Sequence, residues 1–347
     1  MGKILQGDCY EQLKTVPDNS VNCCVTSPPY FNLRDYGTAE WVGGDPNCSH
    51  SKPYRRQTFH EKFKNTKEDE HYGEFYKDVC PLCGARRVDK QIGIENSPKE
   101  YIDNLVKVFH EVKRVLKDDG TLWVNIGDTY NSGPTGSVNS DKQKTNEGSI
   151  AQTTIKGLVS DCKPKDLIGI PWMLAFALRE DGWYLRQDVI WAKPNPMPES
   201  VTDRCTKSHE YIFMLTKSPN YYFDQESIKE LSVSNDGDYD MRNKRDVWNV
   251  PVASGEKEAH FAVFPEKLIE PCIIASCPVG GVVLDPFFGS GTTGKVAKGL
   301  DRDYLGIELN PEYVEIANRK INGLSPKSET DKNDSVDLWW GEDEQDS

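Results

Sequence analysis

The sequence has 347 residues, 37% of them hydrophobic, with 42 Lys and Arg against 55 Asp and Glu for a formal charge of −13. That length can bury one sizeable core together with an insertion or a small second domain. No stretch approaches the ~20 apolar residues of a membrane span, and the opening MGKILQGDCYEQL lacks the apolar segment of a signal peptide, so a cytoplasmic protein (of a bacterium or a phage-infected cell) with no membrane partner is expected.

The first strand is predicted over Val21 to Val25, where the apolar run VNCCV leads directly into Thr26-Ser27-Pro28-Pro29-Tyr30. Two prolines stop the ladder and stiffen the turn, which then displays the Ser27 hydroxyl, the Pro28 carbonyl and the Tyr30 ring from one support. Such a group suits a flat aromatic ligand carrying an amino group.

Residues 41–92 are polar, punctuated by Gly and Pro, and cysteine-bearing, and they read as an insertion. Ten cysteines in a chain without a secretion signal are expected to be reduced or metal-bound. Cys48-Ser-His50 and Cys80-Pro-Leu-Cys83-Gly form two short-spaced ligand pairs, and the thiolates suit a structural Zn2+. The gap of about thirty residues between them is unusual, and His60 or His71 could replace His50. Four unrelated side chains would be the bland reading. The same insertion holds the basic run Lys52 to Lys67, with Arg55 and Arg56.

A helix is predicted over Ser97 to Leu116, with a Ser cap, Pro in the first turn and apolar residues at three- and four-residue spacing. The strand Thr121 to Ile126 follows. Residues 130–165 are rich in Gly, Ser, Asn, Thr and Lys and are expected to form a mobile loop. Pro171 to Glu180 is a further helix. Leu185 to Ala192 and Glu210 to Thr216 are strands separated by the Pro-rich KPNPMPES, and they are expected to pair antiparallel at one sheet edge. Cys272 follows a proline but sits in a helix after FPEKLIE, so core packing is expected of it rather than nucleophilic chemistry.

Val282 to Leu284 is a strand delivering into DPFFGSGTTG and then the helix Thr292 to Gly299. Gly289 and Gly291 allow close approach of a ligand to the backbone, and the helix N-terminus favours an anion. Asp285 could hold a cationic amine; Thr292 and Thr293 could cap the helix and donate to a carboxylate. The next strand, Tyr304 to Ile307, ends at Glu308, placed to grip a ribose diol. Strands alternating with helices predict an α/β fold with a mostly parallel sheet covered on both faces.

Residues 326–347 form an acidic tail, expected to be disordered, with eight Asp/Glu and two Lys that contribute −6 of the −13. The net charge argues against nucleic-acid binding at first sight, because phosphate contacts need Lys and Arg. The uneven spread leaves room for a local basic face.

The blocks LQGDCYEQL, TSPPYFNLRDYG, VLKDDGTLWVNIGDTY, DVIWAKPNPMPESVTDRCTKSHEYIFMLTKS, VWNVPV, HFAVFPEKL, DPFFGSGTTG and YLGIELNPEYVEIA occur in one order over most of the chain. Together they resemble the β class of S-adenosylmethionine-dependent DNA amino-methyltransferases, in which the Pro-Pro-Tyr motif precedes the glycine motif. The resemblance implies a Rossmann-like methyltransferase fold with circularly permuted motif order, formed by residues 1–40 and 93–325. It implies that Ser27, Pro28, Pro29 and Tyr30 hold a flipped base. Asp285, Phe287, Gly289, Gly291, Thr292, Thr293 and Glu308 would line the cofactor site, Asp8 would meet the adenine of S-adenosylmethionine, and His260 and Phe261 would close that site.

Ser before Pro-Pro goes mainly with N4-cytosine in this family, ahead of N6-adenine. Only about two dozen residues lie between Tyr222 and Trp248, where a target-recognition region is common. The zinc insertion with Arg55 and Arg56, the 130–165 loop and Arg34 are therefore expected to contact duplex DNA; the bland reading is that the insertion merely braces the fold. A homodimer and a cognate restriction endonuclease are the further partners implied. An RNA or small-amine methyltransferase and a catalytically idle zinc-containing DNA-binding protein are the competing readings.

Overall fold

The structure, a computed structural model, describes residues 2–33, 38–50, 79–131, 159, 161–233, 239–252 and 264–324. The chain divides into two compact units, residues 1–34 with 92–347 and residues 35–91. None of the described helices is long and apolar enough to cross a membrane.

The larger unit contains β1 (Lys3–Gln6), β2 (Val21–Thr26), β5 (Leu116–Ile126), β6 (Tyr184–Ala192), β7 (His209–Thr216), β10 (Val247–Asn249), β11 (Val282–Asp285) and β12 (Asp303–Glu308). They form one sheet in the order β1-β12-β11-β2-β5-β7-β6-β10, in which β7 alone runs antiparallel to its neighbours. A separate hairpin pairs β8 (Glu230–Val233) with β9 (Tyr239–Arg242). In the smaller unit β3 (Glu40–Val42) pairs antiparallel with β4 (Arg86–Val88).

The helices are α1 (Cys9–Leu13), α2 (Pro98–Val115), α3 (Ile170–Glu180), α4 (Glu266–Ser276), α5 (Thr292–Gly299) and α6 (Pro311–Ile321). In α2 the Ser97 hydroxyl accepts from the Glu100 N–H at 3.1 Å, closing the cap that the sequence signals. Its buried stripe of Tyr101, Ile102, Leu105, Val108, Phe109, Val112 and Val115 recurs every three or four residues and faces the sheet.

Alternation along the strands divides the core in two. Cys24, Leu122, Val124, Ile126, Phe213 and Leu215 pack with α1, α2 and α3. Cys23, Val25, Trp123, Ile212, Met214 and Val283 pack with α4 and α5 on the other face. Cys272 belongs to this second layer, where burial pushes its thiol far above the ordinary range and keeps it an inert packing group.

Two sequence expectations need correction. The antiparallel strand β7 is not at an edge: β6 pairs with it on the outer side, and β10 then adds parallel to β6. Three residues of β10, anchored by Trp248, are too short for any alternation to show in the sequence. The strand expected to begin at Thr121 instead begins at Leu116, because α2 passes directly into β5 and a register shift opposite Val21 and Cys23 absorbs the turn-like KDDG.

Because β7 alone is reversed, the carboxyl ends of the other sheet strands share one edge with the amino end of β7. Open α/β sheets bind ligands at that edge.

Candidate functional site

The serine-proline turn leaves the end of β2, which lies beside β11 in register Leu284 with Cys24. The Thr26 hydroxyl donates to Asp285 Oδ1 at 2.6 Å, so the first residue of TSPPY is bonded to the first residue of DPFFGSG. The Thr293 hydroxyl donates to Asp285 Oδ2 at 2.6 Å and the Phe287 N–H to Oδ1 at 3.0 Å. Asp285 is only 2% exposed, and desolvation pushes its pKa up to about 6 despite those three donors. The sequence suggests an acceptor for an amine at this position; the structure places there a buried brace between the two motifs.

Around the turn, the Tyr101 hydroxyl of α2 donates to the Pro29 carbonyl at 2.7 Å and fixes that peptide. Ser27 is half-buried. The Tyr30 ring lies against Gly127, where a Cβ would come within 2.6 Å of the ring. Its hydroxyl donates to Glu210 Oε2 at 2.6 Å and lies 3.2 Å from Asn125 Oδ1. Burial raises the Tyr30 pKa well above its ordinary value, and the Glu210 charge adds to the rise; a hydrogen bond from Ser27 offsets part of it.

At the glycine turn, Gly289 has φ +50° with open space where a Cβ would stand, whereas Gly291 (φ +81°) packs against Ala317 of α6. The N-cap of α5 is Gly291 and makes no side-chain cap, so the capping expected of Thr292 or Thr293 is not what the structure shows. The reason is local: Thr293 is spent on Asp285, and Thr292, 3% exposed, accepts from Lys320 Nζ at 3.1 Å. The Ser290 hydroxyl is buried without a hydrogen-bond partner.

Glu308 Oε2 accepts from the Gly289 N–H at 2.7 Å and Oε1 from the Asn310 N–H at 2.8 Å; burial raises its pKa. Each oxygen keeps a further lone pair for a ligand hydroxyl. The end of β1 lies beside it, with Gln6 opposite Glu308. Asp8, two residues beyond, caps α1 by accepting from the Glu11 N–H at 3.0 Å. Phe287 is half-buried and meets Phe109 edge-on at 6.4 Å.

These residues therefore share one edge of the sheet. Backbone N–H groups at a helix N-terminus, beside an acidic strand end, can hold a ligand with an anionic group and a diol. His260, Phe261, Arg34, Arg55 and Arg56 lie outside the described residues.

Sequence reasoning missed several side chains at the same edge. Asp128, just past β5, accepts from the N–H groups of Gly169 and Ile170 and so caps α3 from outside. Lys207 donates to the Asp128 carbonyl at 2.6 Å, and burial lowers its pKa. Glu210 pairs with Lys193. The available signal was a polar residue at the end of an apolar strand, as in LWVNIG and SHEYIF.

In the smaller unit, the ligand atoms of Cys48, His50, Cys80 and Cys83 all lie within 4.8 Å of one another. Cys48 Sγ is 3.7 Å from Cys80 Sγ, and Cys83 Sγ is 3.5 Å from His50 Nδ1. Tetrahedral zinc with ordinary Zn–S and Zn–N bonds has edges of about 3.8 and about 3.5 Å, so the donor set fits such an ion. Trp41 stacks on the His50 ring at 4.5 Å and orients it. His60 and His71 lie outside the described residues.

The profile of the DNA methylase family of N6/N4 methyltransferases matches residues 21–319. The type II methyltransferase M.Cfr9I of Citrobacter freundii is 47% identical over 92% of this chain and 87% of its own length. M.SmaI of Serratia marcescens is 45% identical over 92% and 90%. Among solved structures, the PvuII DNA methyltransferase (cytosine-N4-specific) superposes with a TM-score of 0.55 at 17% identity, covering 93% of both chains. TTHA0409 of Thermus thermophilus, a putative DNA modification methylase complexed with S-adenosyl-L-methionine, gives 0.54 at 22% identity over 94% and 98%. At those identities the likeness is one of fold, a Rossmann-like methyltransferase sheet.

Proposed function

The chain belongs to the DNA methylase family of N6/N4 methyltransferases, and on that premise we propose the reaction it performs. It transfers a methyl group from S-adenosylmethionine to the exocyclic N4 of a cytosine flipped out of duplex DNA. The N6 of adenine is the alternative within the same class. The observation that supports this reading is the Thr26–Asp285 hydrogen bond, which joins the serine-proline turn to the glycine turn at adjoining strand ends.

The glycine turn fits the cofactor on two counts: a buried Ser290 hydroxyl without a partner, and open space beside Gly289. The N-terminus of α5 would face the cofactor's carboxylate, Glu308 its ribose hydroxyls and Asp8 its adenine, with His260 and Phe261 closing the site. Bound there, S-adenosylmethionine supplies an electrophilic methyl group on a sulfonium.

The exocyclic amine of cytosine is a poor nucleophile because its lone pair is delocalised into the ring. Ser27 presents the lone pairs of its hydroxyl oxygen to the amino hydrogens. With the Pro28 carbonyl it favours the pyramidal amine, whose lone pair is localised for attack. Tyr30 supports the flipped base by its ring. No covalent enzyme intermediate is needed; positioning and electrostatics do the work.

Ser27 in place of an acidic residue favours cytosine, and the PvuII enzyme of the same fold is described as cytosine-N4-specific. The order of the two motifs accords with a circular permutation of the methyltransferase fold. The Cys48, His50, Cys80, Cys83 set holds a structural zinc, since methyl transfer needs no metal-activated water. The surrounding module, with Arg55 and Arg56, shares the DNA contact with Arg34 and the 130–165 segment. Its type II relatives suggest a cognate restriction endonuclease as a partner.

The test is incubation of the purified protein with labelled S-adenosylmethionine and mixed-sequence duplex DNA, followed by nucleoside chromatography. Labelled N4-methylcytosine is expected. N6-methyladenine would select the alternative, and no labelled nucleoside would reject both.

A further inference from the structure

Tyr30 closes the serine-proline turn, and its hydroxyl ends on a carboxylate that lies outside both the serine-proline and the glycine motifs. Glu210 Oε2 accepts from Tyr30 at 2.6 Å and from Asn125 Nδ2 at 3.2 Å. Its other oxygen, Oε1, is paired with Lys193. Both charged side chains are largely withdrawn from solvent, 13% exposed for Glu210 and 17% for Lys193. Asn125 Nδ2 also donates to the Tyr211 carbonyl at 3.2 Å, and the Lys193 ammonium lies over the Trp191 ring at 4.2 Å. Every member is thus held by β5, β6 or β7, or by the residue that follows β6.

A withdrawn ion pair is weak evidence for stability, because desolvation offsets most of its attraction. This one has a directional use instead. A tyrosine ring can turn about its Cα–Cβ bond unless something fixes the far end. Gly127 supplies one flat wall, and Glu210 fixes the hydroxyl. We propose that Glu210, held by Lys193, is a positioning residue that fixes the far end of the Tyr30 side chain and so sets where the ring stands beneath the target base, while the Gly127 wall sets its plane. The proposal rests on the methyltransferase reading, in which Tyr30 faces the base. Glu210 touches neither base nor cofactor in this account; it acts through Tyr30.

A cycle of variants tests it. Glu210→Gln keeps the size and an acceptor oxygen but loses the charge and the pairing with Lys193, while Tyr30→Phe removes the hydroxyl. Each single change is expected to lower kcat by about tenfold, with cofactor affinity unchanged. The double variant is expected to be no slower than Tyr30→Phe alone, because Glu210 then has nothing left to position. Fully additive losses, or a Glu210→Gln enzyme as fast as the wild type, would overturn the proposal. Should Glu210→Gln fail to fold, Lys193→Gln replaces it in the same cycle with the same two outcomes.

A second readout does not depend on catalysis. With 3-fluorotyrosine placed at position 30 alone, the wild type should give a single sharp 19F resonance, and Glu210→Gln a broadened or split one. Unchanged spectra would reject the positioning role even in an active enzyme. A wild type that methylates no nucleic acid would reject the enzymatic reading, while the spectra would still judge the Tyr30–Glu210 tie.

Discussion

Asp285 shows how one residue sets both chemistry and stability at this sheet edge. Its folded pKa of about 6 lies above the ordinary aspartate value of 3.8, with burial as the main cause. A carboxyl raised on folding contributes stability that is complete below the unfolded value and is lost as pH rises through the folded one. The ligand-free protein should therefore lose stability between about pH 4 and pH 7, by about 3 kcal/mol from this group at order of magnitude. Asp285→Asn should flatten that slope, since the hydroxyls of Thr26 and Thr293 can rotate to suit an amide. Denaturant titrations of both proteins across that range measure it, and parallel slopes would refute the assignment.

Ser27→Ala belongs to the same scale: it removes the acceptor proposed for the substrate amine and leaves the residues of the glycine turn unchanged. It should lower turnover by about 10²-fold while leaving the cofactor Kd, read by calorimetry, unchanged. The positions of Ser27, Tyr30, Asp285 and Glu308 were legible in the sequence because each lies where an apolar strand gives way to a breaker, although the bracing role of Asp285 was not. Glu210, Asn125 and Tyr101 were not, because a polar group inside an apolar strand or helix shows its purpose only when the partner across the sheet is known.

At the scale of elements, the two glycines before α5 are special for different reasons. At Gly291 a Cβ would stand 2.8 Å from Ala317 Cβ, in addition to the cost of φ +81°. Gly291→Ala should thus separate α5 from α6 and destabilise the fold by about 2–4 kcal/mol. At Gly289 the space is open, so Gly289→Ala should cost only the left-handed strain of about 1–2 kcal/mol. Its methyl group would instead occupy the room proposed for the cofactor and weaken binding by tenfold or more, at order of magnitude. Thermal melts and calorimetry on the pair separate the effects; equal losses of stability would contradict the packing argument.

The elements themselves were legible wherever pattern and punctuation agreed, as in α2 with its Ser97 cap and in β11 with its glycines. They were obscured where tertiary pairing overrode local signals. β10 exists because β6 offers it an edge, and the first residues of β5 continue the strand through a sequence that reads as a turn. The position of β7 follows from the same cause, since nothing in its eight residues tells how many strands lie beyond it.

For the molecule as a whole, the question is what stabilises residues 35–91, a unit whose described strands β3 and β4 are three residues each. A two-stranded antiparallel ribbon of that length does not hold itself together in water. Val42 and Val88 are exposed rather than packed beneath it. The sulfur and nitrogen spacings of Cys48, His50, Cys80 and Cys83 supply the missing constraint if they close on zinc, because metal binding then provides folding free energy directly. The purified protein should carry about one zinc per chain by elemental analysis, and Cys83→Ser should carry much less. Removing the metal with a chelator should abolish hydrogen-exchange protection at residues 40–48 and 79–88. Strands β2, β5, β7 and β11 should stay protected, since their cores are built from apolar side chains of the larger unit. Metal-free protein with full protection in the smaller unit would mean that something other than zinc holds these four side chains together.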